Sequence, residues 1–450
     1  MDEKELRNEQ RMTGEGLGEK GTLGQNPVDN SGQNVEMPEK NKRKALVISG
    51  SAMLVLLVVL ISVLMTMRPW ENKDSGTQNS SNETAQTEGV DGEVGSGEQV
   101  MSTALTAGSV TTTIGGKSIT YNGAYVVDGI EVTVSSGTFE SLTDDQVVFL
   151  VVNGGSLKID GNVLINKSGS ANFAGRGDNY SFYGMNSAIV VVGEGSSASI
   201  NGAKITSSVS GANAVVATNG GEVVINQSSI ETSKDNSRGL HATYGGTINA
   251  DGVTIATQGG SCAALATDRG AGTVIANNMT LATAGAGSPL IYSTGKIVVT
   301  NSKGTATGAQ IAVVEGKNSI ELQGCEFSAN GVGNRNNVDN AGVMIYQSMS
   351  GDASVGTGSF SATDSTLSVL ASSSVYDRTP FFFVTNTDAT INLTGVTVNF
   401  SDAETFILAQ GTSEWGQSGS NGGDVTVTLS NVTATNLSVN ADTISSVSGL

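Results

Sequence analysis

The chain has 450 residues, with 59 Gly, only 5 Pro, 5% aromatic and 14% charged residues; this suits many short strands joined by tight polar turns and is the composition of neither a disordered nor a helical chain. A formal net charge of −19 argues against nucleic acid and against anionic lipid as partners. Two cysteines are too few for a disulfide framework, and with a single histidine they exclude zinc sites of the Cys/His type, so no metal or other cofactor is expected.

Residues 1–44 are polar and show no apolar period, which predicts a disordered tail. Residues 45–67, ALVISGSAMLVLLVVLISVLMTM, carry no charge and are long enough to span a hydrocarbon core of ~30 Å as a transmembrane α-helix. Lys40, Lys42, Arg43 and Lys44 stand immediately before this stretch, and only Arg68 and Lys73 follow closely. The positive-inside rule therefore predicts a single-pass signal anchor in the cell membrane, with a cytoplasmic N-terminus and an extracytoplasmic C-terminal part. A cleaved signal peptide fits less well, since the apolar stretch is too long and no A-x-A-like site follows. Residues 68–100, rich in Ser, Gly, Thr, Asn and Glu, read as a flexible stalk.

From about residue 101 a pattern of strand, polar dipeptide and strand recurs. Segments such as SASINGAKIT, EVVINQSSIE, TINADGVTIA and TVIANNMTLA align on it, with dipeptides starting at Asp160, Asn201, Asn226, Asp251, Asn277, Thr300, Gln323, Thr363, Thr394 and Ser430. From Asn201 to Gln323 the spacings are 25, 25, 26, 23 and 23, and a fixed period of this size marks a solenoid. Within each segment apolar residues alternate with period 2, so the units are strands. The position before the dipeptide holds Ile159, Ile200, Ile225, Ala250, Ala276, Val299, Leu322, Ala362, Leu393 and Leu429. A second column holds Leu164, Ile205, Ile230, Ile255, Leu281, Phe327, Leu367 and Val398, with Gly304 and Ala434 as weak rows. Stacked columns of this kind predict an all-β fold, a parallel β-helix solenoid over 101–450 with about three strands per coil. Cys262 and Cys325 fall in different coils and read as small packing residues.

The period breaks with spacings of 41, 40, 31 and 36, and the extra residues fall at corners: 168–187, 328–358, 371–380 and 410–423. Insertions in a solenoid map to surface loops, often on the binding side. Scarce aromatic residues concentrate there: Tyr180, Phe182 and Tyr183 in one, Tyr376 beside Arg378 in another, and Trp415 in a third. Sugar sites use such rings with a few polar groups, so Tyr180, Tyr183, Tyr376, Arg378 and Trp415 are candidate ligand-binding residues. Arg176 and Asp178 join them through the tripeptide Arg176–Gly177–Asp178, a sequence that mediates attachment in some host proteins. The alternative for the rings is to pin the loops onto the rod.

The stretches SFYGMNSAIVVV (181–192), GSPLIYSTGKI (287–297), VEGKNSIEL (314–322), MIYQSMSGD (344–352) and WGQSGSNGGD (415–424) resemble a group of membrane-anchored, adhesin-like surface proteins of gut-type Firmicutes. The resemblance covers about residues 150–450. It implies a right-handed β-helix of the pectate-lyase superfold at the cell surface, and no catalytic residues. Because members of the group run on past this point and ISSVSGL (444–450) reads as the middle of an uncapped coil, the sequence is expected to be a piece of a longer chain.

The same superfold hosts polysaccharide lyases and glycoside hydrolases, which need paired carboxylates or an acidic cluster. Reading the columns, no acidic residues stack outward across neighbouring coils: Asp160 and Asp251 share the turn column and are explained by the turn. His241, aligned with Val216 and Leu265, reads as a packed residue without acidic partners. The expectation is therefore a surface adhesin or glycan-binding protein without catalysis, whose partners are the membrane and an extracellular glycan or surface protein. A surface polysaccharide lyase or hydrolase is the alternative, and a structural envelope protein the third reading.

Overall fold

The computed structural model describes residues 105–171, 173–334, 339–370, 373, 379–400, 405–416 and 423–434, and the backbone of two short strands at 439–441 and 446–448. The expected tail 1–44, span 45–67 and stalk 68–100 lie outside these residues. Among the described residues no helix is long and apolar enough to cross a membrane.

Each coil contributes three strands, and among the described residues these form two sheets, one of 13 strands and one of 21. One coil illustrates the plan. Val215–Thr218 lies in the 13-stranded sheet; a turn at Asn219 and Gly220, both at positive φ, leads to Glu222–Asn226; a kink at Gln227, also at positive φ, leads to Ser229–Thr232. The next coil starts at Leu240. The Asn and Gly at these corners are the residues that enter the left-handed region at least cost. The result is a parallel β solenoid.

The register of the 21-stranded sheet matches the expected columns. Ile159 pairs with Ile200, then Ile225, Ala250, Ala276, Val299, Leu322, Ala362, Leu393 and Leu429 in turn. The second column runs from Ile205 through Ile230, Ile255, Leu281, Gly304, Phe327, Leu367 and Val398 to Ala434. With Val215, Leu240, Leu265, Ile291, Ala312, Val343 and Phe382 from the 13-stranded sheet they form one continuous apolar core.

Three expectations need correction. In the first full coil Leu164 is not a core residue: it pairs with Lys204 and is 43% exposed, while Ile165 pairs with Ile205. One extra residue after Asp160 bulges the strand at Gly161, whose φ is +134°, and turns Leu164 outward. Second, residues Phe173–Tyr183 of the first insertion form an α-helix (α1), not an irregular loop. Third, the solenoid opens on an antiparallel hairpin, Gly108–Ile114 with Lys117–Asp128, whose second strand pairs in parallel with Gln146–Val152. A hairpin needs only local pairing, so it is invisible to a search for the 25-residue period.

The two cysteines are free and buried. Both sit in hydroxyl ladders at coil corners. Ala212 N donates to Ser237 Oγ (3.2 Å), Ser237 N to Cys262 Sγ (3.0 Å) and Cys262 N to Ser288 Oγ (2.9 Å). Cys325 takes the matching place beside Ser365, whose Oγ accepts its N–H at 3.0 Å.

Candidate functional site: a covered acidic seam

Outward side chains of a solenoid sheet usually meet water. From Gln146–Val152 to Phe382–Thr385, those of the 13-stranded sheet are almost all covered. At the N-terminal end Val190, Val192 and Val216 are roofed by the hairpin residues Ile114, Ile119 and Tyr121 and by Tyr180, Phe182 and Tyr183 of α1. Further along, Val313, Met344, Tyr346 and Phe383 pack with Ala341 and Trp415. Between these two apolar patches lies a band of buried polar groups.

The band follows from the register. His241 pairs with Val216 on one side and Ala266 on the other, and the column continues through Tyr292 to Val313 and Met344. The alignment of His241 with Leu265 is therefore off by one; Leu265 pairs with Leu240 and faces the core. Two residues on, the next outward column carries Thr243, then Glu315 and Tyr346. Extending the pairings of Thr267 and of Tyr292 puts Asp268 and Thr294 in the rows between. Asp268 and Glu315 thus stand two coils apart in one outward column, about 10 Å along the axis at ~4.8 Å per coil. Thr294 stands between them, so the two carboxyls are not in neighbouring coils, but the sequence columns did not show that they share one outward column. The Asp follows its strand in a turn, and insertion lengths vary from coil to coil, so the dipeptide alignment did not bring the two into one row.

Both carboxyls are buried and held. Arg238 Nη2 donates to Asp268 Oδ2 at 3.2 Å, and His241 Nε2 lies 3.8 Å from the same oxygen. The phenols of Tyr292 and Tyr346 donate to Glu315 Oε2, the latter at 3.0 Å. A third carboxyl arrives from the insertion after the strand Val343–Tyr346: Asp352 Oδ1 accepts from Arg269 Nε at 2.6 Å. The Arg269 guanidinium also lies over the Phe182 ring, 3.8 Å from its centroid.

Burial pushes Glu315 up to about 7, with the negative charges of Asp352 and Asp268 adding to the shift and hydrogen bonds from Ser348 and Tyr292 opposing it. Burial likewise pushes Asp268 up to about 6, against the pull of Arg238. His241 is driven well below its ordinary range by burial, with Arg238 adding to it, and is neutral; neither ring nitrogen has a hydrogen-bond partner. Three carboxyls and two guanidiniums thus share one desolvated band, and Glu315 keeps its proton closer to neutral pH than Asp268 does.

The residues singled out in the sequence are dispersed. Arg176 lies on α1, 44% exposed, and pairs with Asp145 at 3.2 Å. Asp178 lies on the same helix and is partly buried. Tyr180 is buried, with its hydroxyl on Asp145. Tyr183 is buried and stacks on Tyr244 with centroids 5.4 Å apart. Trp415 packs edge-on against Tyr346 at 4.6 Å. Tyr183 and Trp415 therefore flank the seam at its two ends, while Tyr376 and Arg378 lie outside the described residues. Asp268, Arg269, Arg238, Glu315 and Asp352 were missed. A signal was present for Tyr292, Glu315, Tyr346 and Asp352, which lie within the stretches that carry the family resemblance.

No protein-family model matches the chain, and no curated protein matches it. Among solved structures it is similar to an endo-xylogalacturonan hydrolase from Aspergillus tubingensis, at 13% identity and a TM-score of 0.26, over 70% of this chain and 92% of that one. A likeness of that depth assigns no activity to this chain. The expectation that the chain is no enzyme is withdrawn on the geometry: Asp268 and Glu315 share an outward column, two coils apart, with buried basic and phenolic partners that the sequence columns did not show.

Proposed function

We propose that this chain is a surface β-helix protein that hydrolyses glycosidic bonds of an extracellular polysaccharide, with Glu315 as proton donor and Asp268 as the carboxylate that activates water. The observation that carries this reading is the placement of Asp268 and Glu315 in one outward column two coils apart, between two guanidiniums and two phenols. Their rows lie about 10 Å apart along the axis, just beyond the ~6.5–9.5 Å that separates the carboxyl groups themselves in inverting glycosidases, so side chains inclined toward each other would leave room for a water molecule.

The assignment of roles follows from the environments. Glu315, raised to about 7, retains a proton to give to the glycosidic oxygen as the C–O bond breaks. Asp268, at about 6, is mostly ionised at neutral pH and takes a proton from the water that adds to the anomeric carbon. Arg238 stabilises the ionised Asp268, and Tyr292 and Tyr346 fix the Glu315 carboxyl. Residues 45–67 are proposed as the anchor and 68–100 as the stalk that present the domain outside the cell. The right-handed coil is the expected sense, since parallel crossovers are right-handed in about 98% of cases.

The full chain, purified in detergent, is to be incubated with a panel of plant and bacterial-wall polysaccharides, and reducing ends and product anomers followed. New reducing ends of inverted configuration are expected on at least one polymer, with activity lowered ~100-fold or more in Glu315→Gln. No cleavage of any polymer, unsaturated products, or full activity in Glu315→Gln would each reject the reading.

A further inference from the structure

We propose that residues 347–356 form a strap over the acidic seam and that Arg269 is the clasp that holds it shut. The inference rests on the reading of the seam as a polysaccharide site, because a site so covered must open, but its mechanics are testable without any substrate.

The strap leaves the strand Val343–Tyr346 and rejoins the rod at Gly358–Thr363. Both ends are tied to the rod by backbone groups. Gly416 N donates to Gln347 O at 2.7 Å, and Lys317 N donates to Ser354 O at 2.8 Å. The middle is held differently, by side chains of the seam itself. Asp352 accepts from Arg269, and the Ser348 hydroxyl pairs with that of Ser350 inside the strap. Arg269 follows the strand Leu265–Thr267, three coils earlier in the stack, so one guanidinium reaches from that corner to the strap while its other side rests on Phe182 of α1. It therefore couples the two covers that meet over the band.

The electrostatics make the clasp a two-state device. With Arg269 in place, Asp352 is neutralised and sits beside Asp268 and Glu315 at small cost. Without the Arg269–Asp352 pair, either partner is left as an unpaired polar or charged group in a desolvated space, and the strap opens to return it to water. A polymer that draws Arg269 or Asp352 to itself would have the same effect. The strap ends, held by backbone bonds, serve as hinges.

The test is carbodiimide-driven amidation of Glu315 on the full chain, mapped by mass spectrometry, together with hydrogen exchange of peptide 347–356. The parent, Arg269→Gln and Asp352→Asn are to be compared. Glu315 should be modified at least tenfold faster in both variants, and strap amides should exchange faster, while the strands spanning residues 222–257 exchange as in the parent. Unchanged Glu315 labelling in both variants overturns the proposal. So does faster exchange throughout 222–257, which would make the pair a general stability element. Because labelling needs no turnover, a chain that cleaves no polysaccharide but opens in Arg269→Gln would refute the hydrolase reading and leave the strap standing.

Discussion

The two faces of the 13-stranded sheet are built from the same strands yet organised by opposite rules. Its inner face, with Val215, Leu240, Leu265 and Ile291 in file, is dry, apolar and repeats coil after coil. Its outer face carries Val216, His241, Ala266 and Tyr292 in one file and Thr243, Asp268, Thr294 and Glu315 in the next, with no repeat in chemistry. The inner face is covered by the coil itself, so every row must supply a similar apolar side chain. The outer face is covered by insertions, each of which covers only a few rows, so each row answers to a different neighbour. Regular burial makes the rod; irregular burial leaves room for a site.

The strongest test of the rule for the inner face uses the 21-stranded sheet, which shares the same core but turns its other face to water, and puts the same charge on each side of one of its strands. Ile225 and Ile255 are fully buried in the columns that run the length of the stack, whereas Val224, the neighbour of Ile225, faces outward and is 41% exposed. Ile225→Asp or Ile255→Asp leaves an unpaired carboxylate in an apolar core and should cost several kcal/mol, on the order of 5. Val224→Asp should stay within about 0.5 kcal/mol of the parent. Thermal melts of the three variants check both; a parent-like melt for Ile225→Asp would mean that the register is wrong.

How much was legible follows the same division. The column from Ile159 to Leu429 could be read residue by residue because burial on all sides repeats with the period. Leu164 was misread because a single inserted residue shifts alternation by one, and nothing in composition marks where a bulge falls. α1 was missed because its helical stretch contains two glycines and no apolar period of its own; it is held by Tyr180 and Phe182 packing on the sheet, a tertiary effect. The seam was missed for a related reason. Asp268 and Glu315 are 47 residues apart, and intervening turns of unequal length hide that they share a column.

A second test concerns the outer face. Glu315 has a folded-state value of about 7 against an ordinary 4.5, so the native state binds more protons than the unfolded state between those values. By linkage, its contribution to stability is full below about pH 4.5 and is lost as pH rises through 7, a change of about 3 kcal/mol. Asp268 has the same sign over a window ending near 6. His241, held neutral in the fold, acts in the opposite sense below about pH 6.5. The clean window is therefore about pH 6.5 to 8, where urea denaturation should show stability falling with pH in the parent and falling less steeply in Glu315→Gln. Equal slopes would mean that Glu315 is not the group that holds the proton, and the acid role assigned to it would fail with them.

The smallest expected effect separates a third kind of burial, the corner ladders, from both faces. Cys262 is buried, and its thiol is raised to about 12, mainly by that burial, so it is neutral and unreactive. Its sulfur accepts from Ser237 N and lies 3.1 Å from Gly260 O, in a ladder whose next rows are the hydroxyls of Ser237 and Ser288. If this position is chosen for its hydrogen bonds, Cys262→Ser should change stability by no more than about 1 kcal/mol, because a hydroxyl replaces the thiol in both bonds. Cys262→Val, closer in hydrophobicity, should cost more, about 1–3 kcal/mol, because Ser237 N loses its acceptor. If instead the position is chosen for apolar packing, as the core columns are, the order inverts and Val is the milder change. A pair of denaturation curves decides between them, and the sign of their difference says whether the corner belongs with the inner face or follows a rule of its own.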